Sequence, residues 1–174
     1  MALSVCLLPD EPADRAVRRL WQRLEEAGVS TLLSHTHGRH VPHLTLASLT
    51  AYDLGAVRTA LTALPAGQPL ATRLDALGMF PRSRVWLAPA VTTTLLERQR
   101  SVVEAAESTG AAVHLRYRPG EWLPHLTLAP RLTLDQLPVV ADKVNQVLPL
   151  AAVFSQTALV QTRTGEVSVL TRGY

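Results

Sequence analysis

The apolar and polar positions of this chain follow two periods, one typical of strands and one typical of helices. Short apolar runs bounded by Pro, Gly or Asp predict strands, and apolar residues spaced three and four apart predict helices. In the first predicted helix, Val17, Leu20, Trp21 and Leu24 recur between Asp10 and Gly28. The predicted strands cover residues 2–8, 69–80, 84–90, 151–162 and 166–173, and the predicted helices cover residues 10–28, 53–64, 93–110 and 134–147.

One hexapeptide, Pro-His-Leu-Thr-Leu-Ala, occurs at 42–47 and again at 124–129, a separation of 82 positions. A predicted helix precedes each copy, and a helix, a Pro-Leu-Ala tripeptide and two strands follow it. Such a long period indicates duplicated supersecondary units rather than a solenoid. We therefore expect an α+β fold in a single bilobal α/β domain, residues 1–174, with repeat copies at roughly 30–90 and 112–174. In this expected fold, each pseudo-symmetric lobe has a mainly antiparallel sheet flanked by helices, and the two lobes border a central cleft.

The repeated motif places a histidine and a threonine on the same face of a strand, because alternate side chains of a strand share a face. This face would carry His43 with Thr45 in the first copy and His125 with Thr127 in the second. Such polar side chains are costly to bury without hydrogen-bond partners. If a twofold relates the lobes, the two pairs meet across one cleft. One neutral imidazole can then accept a proton while the other, protonated, donates one. The threonine hydroxyls can donate to phosphate oxygens, so the pattern favours phosphoryl chemistry.

Two other interpretations of these histidines are a core role and a metal site. A single histidine in a strand is more often a satisfied core residue, but two copies in the same frame favour catalysis. His40 and His43 have an H-x-x-H spacing, and His35 and His37 lie nearby, which allows a weak zinc site. Pro42 argues against a helix that presents both, and no Cys, Asp or Glu lies close by in the sequence. We predict no metal, and interpret His35, His37 and His40 as residues at the mouth of the cleft or in solvent.

Composition restricts the class of protein without identifying it. Of the 174 residues, 47% are apolar, which is enough for a folded core, and 18% are charged. The net charge of +3 is consistent with an anionic ligand or simply with a basic surface. Cys6 is the only cysteine, so no internal disulfide can form. The N-terminus lacks the basic region of a signal peptide, and no apolar run is long enough to cross a membrane. We expect a soluble, cytoplasmic monomer that does not bind a membrane.

The paired His-Leu-Thr-Leu motifs at 43–46 and 125–128 resemble those of the 2H phosphoesterase superfamily. Within it, the chain is similar to the bacterial 2'-5' RNA ligase-like (LigT-like) cyclic phosphodiesterases. The resemblance implies two lobes around a cleft, His43 and His125 as catalytic residues, Thr45 and Thr127 as phosphate-binding residues, and no cofactor. It also implies that the substrate is a nucleotide 2',3'-cyclic phosphate or a short RNA end, opened to a 2'-phosphate.

Other candidate residues rest on weaker patterns. Arg131 lies where members of this family often place a basic residue near the phosphate. Trp122 and Phe80 are candidates for stacking on a base, with a core role equally open for either. Of the two we favour Trp122, because it directly precedes the second motif. Arg82 and Arg163 occupy matching turns, where solvation is a better interpretation than contact with an RNA backbone.

Three functions stay open at this stage. The first is a metal-independent phosphodiesterase that acts on 2',3'-cyclic phosphates. The second is a 2'-5' RNA ligase or 2'-5' phosphodiesterase, because the same acid and base serve both directions of the reaction. The third is a nucleotide-binding module without catalysis, which the intact His-x-Thr in both halves argues against. The sequence does not identify the base preference, or which histidine is the base.

Overall fold

The computed structural model describes residues 2–65, 67–81 and 83–172, so Arg82 lies outside the described residues. The strands are β1 (Leu3–Pro9), β2 (Leu44–Ala51), β3 (Leu70–Phe80), β4 (Arg84–Pro89), β5 (Ala112–Val113), β6 (Leu126–Ala129), β7 (Leu150–Gln161) and β8 (Val167–Arg172). The α-helices are α1 (Glu11–Glu26), α2 (Leu54–Thr62), α3 (Thr93–Glu107) and α4 (Leu137–Asn145). Short 3₁₀ turns cover Leu115–Tyr117 and Leu134–Gln136.

The observed elements follow the predicted periodicities closely, with differences at two places. The helix predicted over 134–147 is split into a 3₁₀ turn and α4, because Pro138 in the first turn of α4 has no N–H to continue a preceding helix. The two-residue strand β5 has no apolar alternation that would predict it, and it forms through pairing with β2. Capping fits the sequence elsewhere: the side chain of Thr92 accepts a hydrogen bond from Leu95 N at the start of α3.

The strands form one open antiparallel sheet with the order β5-β2-β1-β7-β3-β4-β6, and β8 adds to β7. This confirms the predicted α+β class with a mainly antiparallel sheet. The two strands that begin with the repeated motif, β2 and β6, occupy equivalent places, since each is the second strand beyond the β7–β3 pair. The long strands β7 and β3 pair through their first halves, from Leu70 opposite Phe154 to Leu74 opposite Leu150.

Helices cover one face of the sheet in two pairs, α2 with α3 and α1 with α4. Two apolar clusters lie beneath them, one containing Leu3, Val5 and Leu46, and the other containing Val85, Leu87 and Leu128. Because strand side chains alternate, Ser4 and Cys6 of β1 and Arg84 and Trp86 of β4 belong to the opposite face. That face carries the polar residues of interest.

Candidate active site

His43 and His125 stand directly before β2 and β6, and each is held by a backbone carbonyl two residues earlier. The Nδ1 atom of His43 lies 2.7 Å from the Val41 carbonyl oxygen, and that of His125 lies 2.8 Å from the Leu123 carbonyl oxygen. A carbonyl can only accept, so Nδ1 carries the hydrogen in both rings. In the neutral form, each ring therefore has Nε2 as its free basic nitrogen.

The environment favours the neutral form of both imidazoles. Burial lowers the pKa of His43, and the hydrogen bond to Val41 partly opposes the shift. Burial also lowers the pKa of His125. The hydrogen bond to Leu123 opposes this shift, and the charges of Arg84 and His43 add to it. The two imidazoles, 82 positions apart in the sequence, thus interact electrostatically in the fold.

A β-bulge follows the threonine in both copies of the motif. In the first copy Cys6 pairs with Thr45 and Val5 with Ala47, so the register passes over Leu46. In the second, Trp86 pairs with Thr127 and Val85 with Ala129, so it passes over Leu128. A bulge bends a strand and re-aims the side chains beside it. The repeated hexapeptide therefore encodes the same local irregularity twice.

The two threonines have different surroundings despite this shared backbone. Thr45 is 7% exposed, and its Oγ1 lies 3.6 Å from Cys6 Sγ. The Thr45 hydroxyl also hydrogen-bonds to Tyr117, a phenol whose pKa burial raises to about 12. Thr127 is half-buried and borders an open cavity. Only the second motif thus presents its hydroxyl to this cavity.

An aromatic wall, formed by Phe80 and Trp86, flanks His125. The Phe80 ring meets the His125 ring edge-on, with centroids 4.8 Å apart, and the Trp86 and His125 centroids are 6.0 Å apart. Trp86 lies over Gly78, its partner on β3, where an added Cβ would come within 2.3 Å of the indole. Glycine at position 78 therefore makes room for the tryptophan.

Trp122, the other stacking candidate, packs inside the protein. It is 9% exposed, belongs to an apolar core cluster, and donates from Nε1 to the Thr45 carbonyl oxygen at 3.0 Å. This environment favours the core role that the sequence left open for Trp122. Phe80 is half-buried beside His125, which keeps it as the stacking candidate.

A cavity of about 180 Å³ opens beside His43 and Thr127. Its lining includes Arg84 and three histidines, His35, His37 and His40, of the loop between α1 and β2. Arg131 interacts electrostatically with His35, so it lies on this side of the site. In the parts of the chain that the structure describes, no group of three or more His, Cys, Asp or Glu side chains is arranged to hold a metal ion.

Sequence reasoning missed Arg84 and Trp86. The two residues share a face of β4 by simple alternation, and Arg84 interacts electrostatically with His125. Neither residue belongs to a recognisable motif. Only the pairing of β4 with β6 places them beside the second His-x-Thr pair.

Comparison with known proteins supplies a family and a fold. The family model of the 2'-5' RNA ligase superfamily matches residues 8–166. A comparison with curated proteins gave no significant match. Among the helices of the described residues, none is both long and apolar enough to cross a membrane.

Three solved structures illustrate the shared fold. Escherichia coli LigT complexed with NADP+ is 17% identical, with a TM-score of 0.63 over 98% of this chain and 95% of that chain. The protein TT0787 of Thermus thermophilus is 18% identical, with a TM-score of 0.61 over 99% and 97% of the two chains. Kluyveromyces marxianus Usb1 is 13% identical, with a TM-score of 0.51 over 97% of each chain.

Proposed function

Because the chain belongs to the 2'-5' RNA ligase superfamily, we propose that it is a metal-independent phosphodiesterase that opens 2',3'-cyclic phosphates of nucleotides or RNA ends to 2'-phosphates. Membership supports phosphodiesterase or ligase-type chemistry, and it confirms the resemblance to the 2H phosphoesterase superfamily. The choice of cyclic phosphodiesterase rests on the residues of the site.

The observation that carries the proposal is the matched presentation of His43 and His125. Each ring has its Nδ1–H bound to a carbonyl and its Nε2 free, and the two rings interact electrostatically. Such a pair suits one proton acceptor and one proton donor, as in-line displacement at phosphorus requires. The two rings share one tautomer and stand beside equivalent bulges, which suits a pair of groups that act together.

The reaction then proceeds with balanced proton transfers. One neutral imidazole accepts a proton through Nε2 from the attacking water, whose oxygen bonds to phosphorus. The bond between phosphorus and the 3' oxygen breaks, and the other imidazole, protonated at Nε2, donates its proton to that oxygen. The product is a 2'-phosphate with a free 3'-hydroxyl, and the two histidines have exchanged protonation states.

The remaining polar groups bind the substrate. Thr127 and Arg84 border the cavity with His43, so they are placed to contact non-bridging phosphate oxygens. Arg131 contributes from the side of His35. Phe80 offers a ring beside His125 for the base. Nucleotide complexes of E. coli LigT, with ATP and 3'-AMP, support a nucleotide substrate here.

Product analysis in the presence of a chelator tests the proposal. Adenosine 2',3'-cyclic phosphate is incubated with the protein in excess EDTA, and the 2'- and 3'-phosphates are separated by chromatography. We expect adenosine 2'-phosphate as the main product at an undiminished rate. A 3'-phosphate product, or activity that EDTA removes and zinc restores, would contradict the mechanism.

The control for this experiment is His114→Ala. His114 is an exposed histidine beside β5, whereas the other five histidines lie at or near the cavity or precede β6. This variant should retain wild-type turnover. A parallel incubation of RNA fragments that carry 2',3'-cyclic phosphate and 5'-hydroxyl ends measures joining. Joining without hydrolysis would assign the ligase activity instead.

A further inference from the structure

The loop that leads into the second histidine is anchored on the first motif. This loop, residues 114–124, connects β5 to β6, and its Trp122 donates from Nε1 to the Thr45 carbonyl oxygen at 3.0 Å. Trp122 is 9% exposed and belongs to the same apolar cluster as Leu44 and Leu46. Because 77 positions separate the two partners of this hydrogen bond, no local pattern in the sequence predicts it.

A buried glutamine ties the same loop to the bulge of the first motif. Gln99 of α3 is 2% exposed, and its Nε2 donates to the carbonyl oxygens of Leu46 at 3.2 Å and Tyr117 at 2.6 Å. Leu46 is the residue that the strand register passes over, and Tyr117 belongs to the loop. Backbone carbonyls inside a protein need donors, and here one amide serves two segments. Two side chains, Trp122 and Gln99, therefore hold the loop against β2.

The path along the chain from Trp122 to His125 is short and stiff. It consists of Leu123 and Pro124, and the proline ring fixes its own φ and restricts the backbone of the residue before it. The Leu123 carbonyl on this path accepts the hydrogen bond from His125 Nδ1. A displacement of Trp122 therefore reaches the imidazole through few free dihedral angles.

The loop before the first histidine makes a corresponding contact with the second motif. Leu32, in the segment between α1 and β2, donates from its backbone N to the Leu128 carbonyl oxygen at 3.1 Å. Leu128 is the residue that the register passes over in the second bulge. The loop before each histidine is therefore anchored on the motif of the other half. Leu32 lies far from His43 along the chain, whereas Trp122 stands close to His125, so the second loop gives the more direct control.

We propose that Trp122 and Gln99 are positioning residues, which hold this loop against the first motif and thereby set the orientation of His125 relative to His43. The inference rests on the proposed function, in which the two imidazoles act on one phosphate. A general acid or base must lie within hydrogen-bond reach of the atom that it serves. A misplacement of about 1 Å can cost about 10²-fold in rate. Loss of either anchor therefore acts on the chemical step as well as on stability.

Two matched substitutions separate the hydrogen bond of Trp122 from the packing of its ring. Trp122→Phe removes the N–H donor and part of the ring. Trp21→Phe removes the same atoms from a fully buried tryptophan of α1, whose Nε1 has no hydrogen-bond partner among the described residues. Both variants should melt below the wild type, as large-to-small changes in a core do. Only Trp122→Phe should lower kcat, by roughly 10–100-fold, with little change in KM.

The ring nitrogens report the orientation of His125 without turnover. Long-range ¹H–¹⁵N spectra of labelled protein give the tautomer of each imidazole, and His43→Ala and His125→Ala assign the two sets of signals. In the wild-type protein, both rings should be in the Nδ1–H tautomer that their backbone carbonyls require. Trp122→Phe should mix the Nδ1–H and Nε2–H forms of His125. Trp21→Phe should leave both rings unchanged.

Gln99→Met tests the second anchor and decides the matter if Trp122→Phe does not fold. Methionine keeps the length of the side chain and removes the amide that joins Leu46 to Tyr117. The loop then loses one anchor while the indole stays in place. We expect the same mixture of His125 tautomers and a lower kcat with little change in KM.

Activity and spectra together distinguish this inference from the proposed function. If the wild-type protein opens no 2',3'-cyclic phosphate, the proposed function fails, and the His125 tautomer in the variants still decides whether the loop is positioned by its anchors. The inference is overturned if folded Trp122→Phe and Gln99→Met keep the wild-type tautomer of His125. It is also overturned if they lose no more kcat than Trp21→Phe, because stability alone would then explain both anchors.

Discussion

At the scale of single residues, each proposed catalytic imidazole is oriented by a neutral carbonyl rather than by a carboxylate. Val41 and Leu123 fix the rings of His43 and His125 without supplying the negative charge that would stabilise an imidazolium. Burial then dominates, and the pKa of both histidines falls below the ordinary value. This combination has a direct consequence for the pH dependence of the rate.

We expect a bell-shaped kcat/KM profile whose maximum lies below about pH 6.5, the unperturbed pKa of histidine. The base must be neutral and the acid protonated, and the pKa of each group is lowered, so both limbs shift toward acid. The limbs belong to the coupled pair rather than to one residue each. An anionic phosphate in the complex stabilises imidazolium, so the kcat profile should lie at higher pH. A kcat/KM maximum above about pH 8, well past the unperturbed pKa, would contradict this arrangement.

Replacing either histidine should remove most of the rate. His43→Ala and His125→Ala should each lower kcat by roughly 10²–10⁴-fold, the usual contribution of one general acid or base. The double variant should lose less than the product of the two single losses, because the groups act together. Steady-state kinetics, with His114→Ala as control, measures these losses. A single variant that keeps near-full turnover would exclude the mechanism.

The threonines should be unequal although their motifs are identical. Thr127 borders the cavity, whereas the Thr45 hydroxyl is occupied with Cys6 and Tyr117. Thr127→Ala should therefore lower kcat/KM by about 10-fold, the scale of one hydrogen bond to a charged group. Thr45→Ala should affect melting temperature more than rate. Equal kinetic losses in the two variants would show that Thr45 also reaches the phosphate.

At the scale of elements, the face of the sheet that carries the candidate site is built on a row of paired residues that crosses three strands. Gly78 of β3 pairs with Trp86 of β4, and Trp86 pairs with Thr127 of β6. The corresponding row in the other half is Ala158, Cys6 and Thr45. The strands and bulges match, but the side chains differ. The first row carries a large indole over a glycine, and the second carries a small thiol. Only the row beside His125 is therefore aromatic.

Gly78→Ala should disturb His125 through the aromatic wall. The new Cβ would lie 2.3 Å from the Trp86 indole, so the ring must move, and Phe80 and His125 contact it. We expect a loss of about 1–3 kcal/mol of stability, as for other overpacked sites, and a lower kcat. Calorimetric melting and steady-state kinetics measure the two effects.

The matched control for this substitution is Gly55→Ala in the first turn of α2. There the added Cβ would come no closer than 3.3 Å to the Asp53 side chain. The double variant Gly78→Ala/Trp86→Leu, in which the crowding ring is absent, should be more stable than additivity of the single effects predicts. Additive losses would show that the two residues do not interact.

Local elements were predictable because they depend on short-range patterns, and the positions of side chains across strands were not. Periodicity identified β1 and α1 to α3 within a few residues, since burial of one face determines each element. Trp122 and Trp86 illustrate the limit. One packs in a core, and the other covers Gly78 beside His125, although no local pattern in the sequence separates them. Only strand pairing distinguishes them.

At the scale of the whole molecule, each half combines parts of both ends of the chain. β1 and β2 share a half with α3, whereas β4 and β6 share a half with α1. The repeat predicted two similar lobes, but a linear pattern does not show such an exchange, because it results from long-range contacts. The exchange also joins the halves: neither apolar cluster is complete without residues from both copies.

The histidines of the candidate site should make the stability of the whole protein depend on mildly acidic pH. Burial, together with the charges of His37, His43 and His35, lowers the pKa of His40 to about 4, and the pKa values of His35, His43 and His125 are also lowered. A folded-state pKa below the unfolded value means that the unfolded chain binds protons first. The contribution of these histidines to stability is therefore constant above about pH 6.5 and falls as the pH drops toward about 4.

Thermal melting of His40→Asn between about pH 7.5 and about pH 5, a range chosen above the usual carboxylate pKa values, tests this dependence. The wild-type protein should lose melting temperature over this range, and His40→Asn should lose less. The two proteins should differ in this loss by about 1 kcal/mol of stability, or roughly 2–4 °C in melting temperature. This value is discounted because His40 is partly exposed. The comparison uses the change with pH, because His40 also contacts Thr36 and His37 and its loss costs stability at any pH. His114→Asn should follow the wild type. Identical pH dependence in wild type and His40→Asn would show that His40 is not a source of acid sensitivity.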